Sequence, residues 1–205
     1  MNLITKICLD NFVLDIKILM KKLLSTITVL LVIAINAEAQ KVALSTNAFD
    51  WAMLGTANIE AQVSAAQHIS VIAGARYNPW QFETPNPHLI VQNRHTAFYA
   101  GVRIWPWYVF SGWWIEAKGQ YGTFNRSGIW RPALEEGSAL GAGLGFGYTF
   151  MVSERINIDI GIGAWGGRKM ERQLYDCASC LNLREEGPKN FIDLDDIKIS
   201  FMYLF

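Results

Sequence analysis

The sequence predicts an all-β fold, an eight-stranded antiparallel up-and-down transmembrane β-barrel with long external loops. Three observations predict it. Beyond residue 39, apolar residues recur at every second position in eight segments, and no apolar run is long enough for a membrane helix although 51% of the chain is hydrophobic. Such alternation marks strands with two unlike faces, and the only non-helical structure that satisfies its backbone in lipid is a closed barrel. Connections also sort by parity, short after strands two, four and six and long after strands three, five and seven, as in outer-membrane barrels. Finally, the chain finishes on "DDIKISFMYLF", which puts Phe201, Tyr203 and Phe205 on one face of a last strand.

The first segment with a clear role is "MKKLLSTITVLLVIAINAEAQ". Lys21 and Lys22 precede an apolar run from Leu23 to Ile35, and Ala37-Glu38-Ala39 offers a small-x-small cleavage site. The run is shorter than the roughly 20 residues that a helix needs to span lipid. Residues 20–39 are therefore expected to be a signal peptide, residues 1–19 a doubtful leader upstream of the start, and residues 40–205 one barrel domain. Beyond residue 39 fourteen Lys and Arg face fifteen Asp and Glu. That balance argues against nucleic acid as a partner. The expected location is the cell outer membrane, with lipid as the surrounding partner.

The eight strands follow in order. Val42–Phe49 is the first. Thr56–Ser64 sets Ala57, Ile59, Ala61 and Val63 against Asn58, Glu60 and Gln62. Ile69–Tyr77 and Thr96–Trp105 follow, then Trp113–Thr123, where Trp113, Ile115 and Ala117 oppose Glu116, Lys118 and Gln120. Ala139–Phe150 alternates Leu140, Leu144, Phe146 and Tyr148 with small residues, Ala139 to Gly147. Ile156–Ala164 alternates isoleucines with Asn157, Asp159, Gly161 and Gly163. The C-terminal segment is the eighth. Each is near the nine to eleven residues of a tilted spanning strand.

Several stretches, "STNAFDW", "GARYNPWQF", "GVRIWPW", "KGQYGTFN", "GLGFGYTFMVSERINIDIGIGA", "YDCASC" and "ISFMYLF", together resemble a Bacteroidetes family of small outer-membrane barrels known as domain of unknown function 3575. The resemblance spans nearly all of the chain after the signal. It implies the outer membrane and, for some members, association with fimbrial or other surface-assembly proteins. It implies no established activity. The terminal Phe201, Tyr203 and Phe205 resemble the signal that the barrel-assembly machinery reads, which makes that machinery an expected partner.

Candidate chemistry lies in three places. The polar parity gathers Glu60, Arg76, Arg103, Glu116, Lys118, Asp159 and Lys198 in the lumen. Eight strands leave an interior only side chains wide, so a charge network that plugs the barrel is expected, and a narrow gated pore is the sharper alternative. Small residues from Ala139 to Gly147 would make room for bulk such as Tyr99 and Arg103. Cys177 and Cys180 sit in an exported loop, where a disulfide is expected; a zinc site would need two more ligands. His68, His88 and His95 lack a neighbouring serine motif, so no catalytic residue, metal or cofactor is assigned, and an outer-leaflet enzyme with a loop histidine is the alternative. Trp80, Trp105, Trp107 and Trp113 fall near strand ends, where an aromatic girdle belongs, and Trp130 falls in a loop. The expected role is non-enzymatic: surface loops presented for partner binding, tethering of a surface structure or envelope stabilisation.

Overall fold

Alternation of unlike side chains builds eight antiparallel strands that close on themselves. In chain order the elements are β1 (Val42–Asn47), α1 (Ala48–Ala52), β2 (Ala57–Ala66), β3 (Ile69–Asn78), β4 (Gln81–Glu83), β5 (Ile90–Ile104), β6 (Gly112–Gly128), β7 (Arg131–Met151), β8 (Ile156–Lys169), β9 (Gln173–Tyr175), β10 (Leu183–Glu186) and β11 (Lys189–Leu204). The computed structural model describes residues 42–84, 90–128, 131–177 and 182–205, all within one unit, Val42–Phe205. The predicted leader and signal peptide lie outside the described residues, as do His88, Trp130 and Cys180.

The barrel runs β1-β2-β3-β5-β6-β7-β8-β11, and β11 returns to β1. At that seam Ala43 stands opposite Leu204 and Asn47 opposite Ser200, and the Phe205 amide donates to the Val42 carbonyl at 2.9 Å. Closure leaves none of the eight with an unpaired edge, the feature that lets a sheet stand without a covering layer. Among the described residues no helix is long and apolar enough to cross a membrane. The one helix among the described residues, α1, starts where the Asn47 side chain accepts from the Phe49 amide at 3.2 Å. The first strand thus stops at Asn47, two residues before its predicted end.

The wall is inside out. Phe98, Val102, Ile104, Ile115, Leu144, Phe146, Ile160 and Phe201 point outward and are exposed, whereas Gln62, Ser70, Arg103, Glu116, Asn157 and Asp159 point inward and are almost wholly buried. A water-soluble barrel has the reverse distribution, since apolar area removed from water is its main driving force.

The two ends differ. One carries the tight connections at Gln67–His68, 105–111 and 152–155; the other carries the long ones. Much of that longer sequence is itself strand. β5 begins six residues before its predicted start, β6 runs on to Gly128, and β7 has 21 residues, roughly 30 Å more than a spanning strand needs at about 3.3 Å per residue. β9 pairs with β7 and β10 with β9, adding a flap at this end. These extensions form because neighbouring backbones keep satisfying one another: Arg126 stands opposite Glu135, and Asn190 opposite Arg168.

Candidate functional site

Successive inward positions carry the predicted lumen charges to nearly one height. Arg103 on β5 stands opposite Glu116 on β6, and Asp159 on β8 stands opposite Ser200 on β11, two residues from Lys198. Arg103 is the hub. Its Nη2 donates to Glu116 Oε2 at 2.6 Å and to Glu60 Oε1 at 3.2 Å, and its Nη1 to Asp159 Oδ2 at 2.8 Å. Lys198 Nζ bridges the same two glutamates, at 3.1 Å to Glu60 and 2.8 Å to Glu116. Lys118 Nζ lies 3.6 Å from Glu116 Oε1. Three bases thus meet three acids with no surplus of either sign. Water reaches none of the six appreciably, and Arg103 is 0% exposed.

Arg76 is the exception among the seven. It sits nearer the long end and pairs with Asp50 of α1 at 3.0 Å. Parity fixes which face a residue takes but says nothing of its height, and the short helix α1 puts Asp50 within reach.

Aromatic side chains complete the plug. Tyr99 donates to Glu60 at 2.9 Å, and Trp114 Nε1 donates to Asp159 Oδ1 at 2.6 Å, where Thr149 also donates at 3.0 Å. The Arg103 guanidinium lies 4.0 Å from the Trp114 ring centroid, a cation–π contact out of water. Trp105 is not part of an outer girdle. It is buried, and its Nε1 donates to Ser70 Oγ at 2.9 Å. Trp80, Trp107 and Trp113 are exposed. The signal for the two inner tryptophans was present in the sequence: Trp105 shares parity with Arg103, and Trp114 with Glu116.

Room for this bulk comes from glycine, though not in the predicted pairing. A Cβ at Gly161 would stand 2.6 Å from Trp114 Cη2, and one at Gly147 would also strike that ring. The bulk opposite the glycines of β7 is Trp114, while Tyr99 is accommodated by Gly74 of β3.

Below the charges, the tight end is sealed. Ala43, Trp105, Phe110, Trp114, Met202 and Leu204 form one apolar cluster. Phe110 adopts a left-handed backbone (φ 67°), rare for an aromatic residue. This turns its ring up beneath Trp105, edge to face at 6.2 Å, and its carbonyl accepts from Asn157 Nδ2 at 2.8 Å.

Above the charges, the long end carries a rim of ion pairs that sequence reasoning missed. Glu135 accepts from Lys169 at 2.6 Å and from Arg172 at 2.7 Å, and Arg172 reaches Glu185 at 3.1 Å, tying β7, β8 and the β9–β10 flap together. Burial pushes the Glu135 carboxyl up, but those two hydrogen bonds outweigh it and hold it below the usual glutamate value. Hydrogen bonds to Glu185 and Glu135 raise the Arg172 guanidinium.

Cys177 is disulfide-bonded. His68 stacks on Tyr108 at 6.2 Å, and His95 Nδ1 lies 2.9 Å from the Asn93 carbonyl. Among the described residues neither histidine is hydrogen-bonded to a serine or a carboxylate, and no three His, Cys, Asp or Glu side chains gather as a metal cluster. Phe201, Tyr203 and Phe205 lie along the outer face of the closing strand, Tyr203 and Phe205 edge to face at 4.9 Å.

A closed antiparallel barrel of eight strands, apolar outside and filled with paired charge inside, defines the class: a small up-and-down β-barrel protein. The chain belongs to the family described as protein of unknown function DUF3575, whose model matches residues 25–205. No curated protein and no solved structure matches it.

Proposed function

We propose that the protein is a non-conducting outer-membrane barrel that holds a rigid, charged rim outside the cell for a protein or envelope partner. The inside-out wall carries this reading. A belt of exposed Phe, Ile, Leu and Val on every barrel strand has a use only where the surroundings are apolar. The plug supports non-conduction. An ion would have to part Arg103 from three carboxylates in a space that bulk solvent hardly reaches. The rim supports display, because its strands are extensions of the barrel rather than free loops, and recognition groups on a rigid scaffold bind with little ordering cost. Surface-assembly proteins, the partners that the family resemblance implies, are of the kind such a rim would tether.

The test has three readings on the refolded chain. Gel migration with and without heating should show a compact folded form. Planar bilayers should show no steady conductance. Replacing residues 170–188 with an Asn-Gly turn, which joins the paired Lys169 and Lys189, should keep the folded form and remove partner capture from whole cells. A chain that fractionates as soluble protein with no heat-dependent shift would sink the reading, as would a stable open channel.

A further inference from the structure

Between the charge plug and the rim lies a partly open cavity of about 290 Å³. Its walls are largely apolar, with Phe49 and Met53 of α1 above and Ala97, Phe124, Ala139 and Trp165 around it. Polar side chains break that lining, among them Asp50, Arg76, Asn93 and His95, and three polar groups in it lack a partner. Gln120 is 5% exposed and points inward from β6, and its amide has no partner among the described residues. Trp165 Nε1 is buried with no hydrogen-bond acceptor. Arg126 Nε is likewise buried and unbonded, its carboxylate neighbour Glu135 standing at 3.9 Å, too far for a hydrogen bond, while the side chain as a whole is 38% exposed and its Nη1 lies 3.8 Å from Asp193. Buried polar groups almost always find partners, and one left unmet costs about 1–3 kcal/mol. Three around one small cavity mark a place where the partner is a bound molecule.

We propose that this chamber binds a small arylcarboxylate. Two of the unmet groups, the indole N–H and the guanidinium N–H, can only donate, and the third, an amide, can donate as well as accept. The missing group is therefore rich in acceptor oxygens, and a guanidinium prefers a carboxylate among these. The body must be flat and apolar to suit Phe124, Trp165 and Phe49. A cavity of roughly 150 Å³ takes benzene, so this one holds a ring and its carboxyl-bearing arm. A second negative charge would be opposed by Asp193 and Glu135, which already stand 3.8 and 3.9 Å from the Arg126 guanidinium. Access is from outside: the cavity shares His95, Thr123 and Phe124 with an open recess of about 790 Å³ at the rim.

The probe is 4-fluorophenylacetate, with its neutral amide as control, titrated into the refolded full chain in detergent micelles and followed by fluorine NMR. The acid should bind saturably and the amide at least about tenfold more weakly, the loss of one charge-assisted contact. Arg126→Met should erase that preference. Trp165→Phe, which removes one N–H, should weaken the acid about threefold to tenfold and serves alone if Arg126→Met does not give the folded, heat-shifted band. Absence of saturable binding, which leaves water as the only occupant, overturns the proposal. So does equal binding of acid and amide, or an acid affinity that Trp165→Phe does not change. None of these results touches the conductance measurement on which the closed-barrel reading stands.

Discussion

Removing the hub of the lumen network should destabilise the barrel out of proportion to the few atoms lost. Arg103→Met keeps most of the side-chain volume and deletes the charge. Glu60 and Glu116 then retain Lys198, at 3.1 and 2.8 Å. Asp159 loses its only ion pair among the described residues and keeps just the neutral donors Trp114 and Thr149. Breaking one buried pair costs about 3–5 kcal/mol, and here one carboxylate is stranded outright while two others are weakened. The expected loss is therefore at least about 3 kcal/mol. At a urea dependence of about 1–3 kcal/mol per molar, the unfolding midpoint in lipid vesicles should fall by roughly 1–3 M, read from the heat-shifted band or tryptophan emission. Asp159→Asn added to Arg103→Met should recover more than half of the loss, because it removes the stranded charge and leaves an acceptor for Trp114. A stability that stays within about 0.5 kcal/mol of the parent, or a double variant no better than the single, would refute the hub assignment.

Gly161→Ala places a methyl 2.6 Å from Trp114 and 2.9 Å from the Phe146 carbonyl, so it should cost about 1–3 kcal/mol by overpacking in the same urea assay. Phe205→Ala, at the seam residue whose amide bonds Val42, should lower the fraction of chains reaching the heat-shifted form in cells while leaving the unfolding midpoint of those that fold nearly unchanged. Intact protein should resist thiol alkylation at Cys177 until a reductant is added, and Cys177→Ser should still insert. Because the Glu135 pKa is lowered on folding, its contribution to docking the β9–β10 flap is complete above the unfolded glutamate value near 4.3 and fades as pH falls through the folded value. Hydrogen exchange in β9 and β10, corrected for intrinsic rate, should rise on that acid limb while β2 and β3 stay protected.

The barrel was legible in the sequence because its two faces meet unlike surroundings. Ile197, Ile199 and Phe201 against Lys198 and Ser200 gives a period that hydropathy can count. Where both faces of a strand are polar the period vanishes, and "NRSG" and "ALEEGS" look like loop although they pair in register, Asn125 opposite Glu136 and Thr123 opposite Ser138. The lumen residues were legible by parity and their bonding was not, since height depends on strand stagger. That is why Arg76 was grouped with Arg103 while its partner, Asp50, was passed over. Inner tryptophans were hidden by a compositional habit: aromatics near strand ends suggested a girdle, although odd Trp105 and even Trp114 already shared the parity of the charges.

The fit between Trp114 and the glycines beneath it also constrains the order in which this sequence can change. A methyl at position 161 meets two obstacles, the Trp114 indole at 2.6 Å and the Phe146 carbonyl at 2.9 Å, and only the first leaves with the indole. Trp114→Ala vacates most of that space but removes one of the two donors to Asp159 Oδ1, leaving Thr149. Either first step is harmful, and the second costs less once the first is in place. The pair is therefore expected to show strong reciprocal epistasis, so that lineages in this family keep tryptophan and glycine together or exchange both, with few surviving sequences in between.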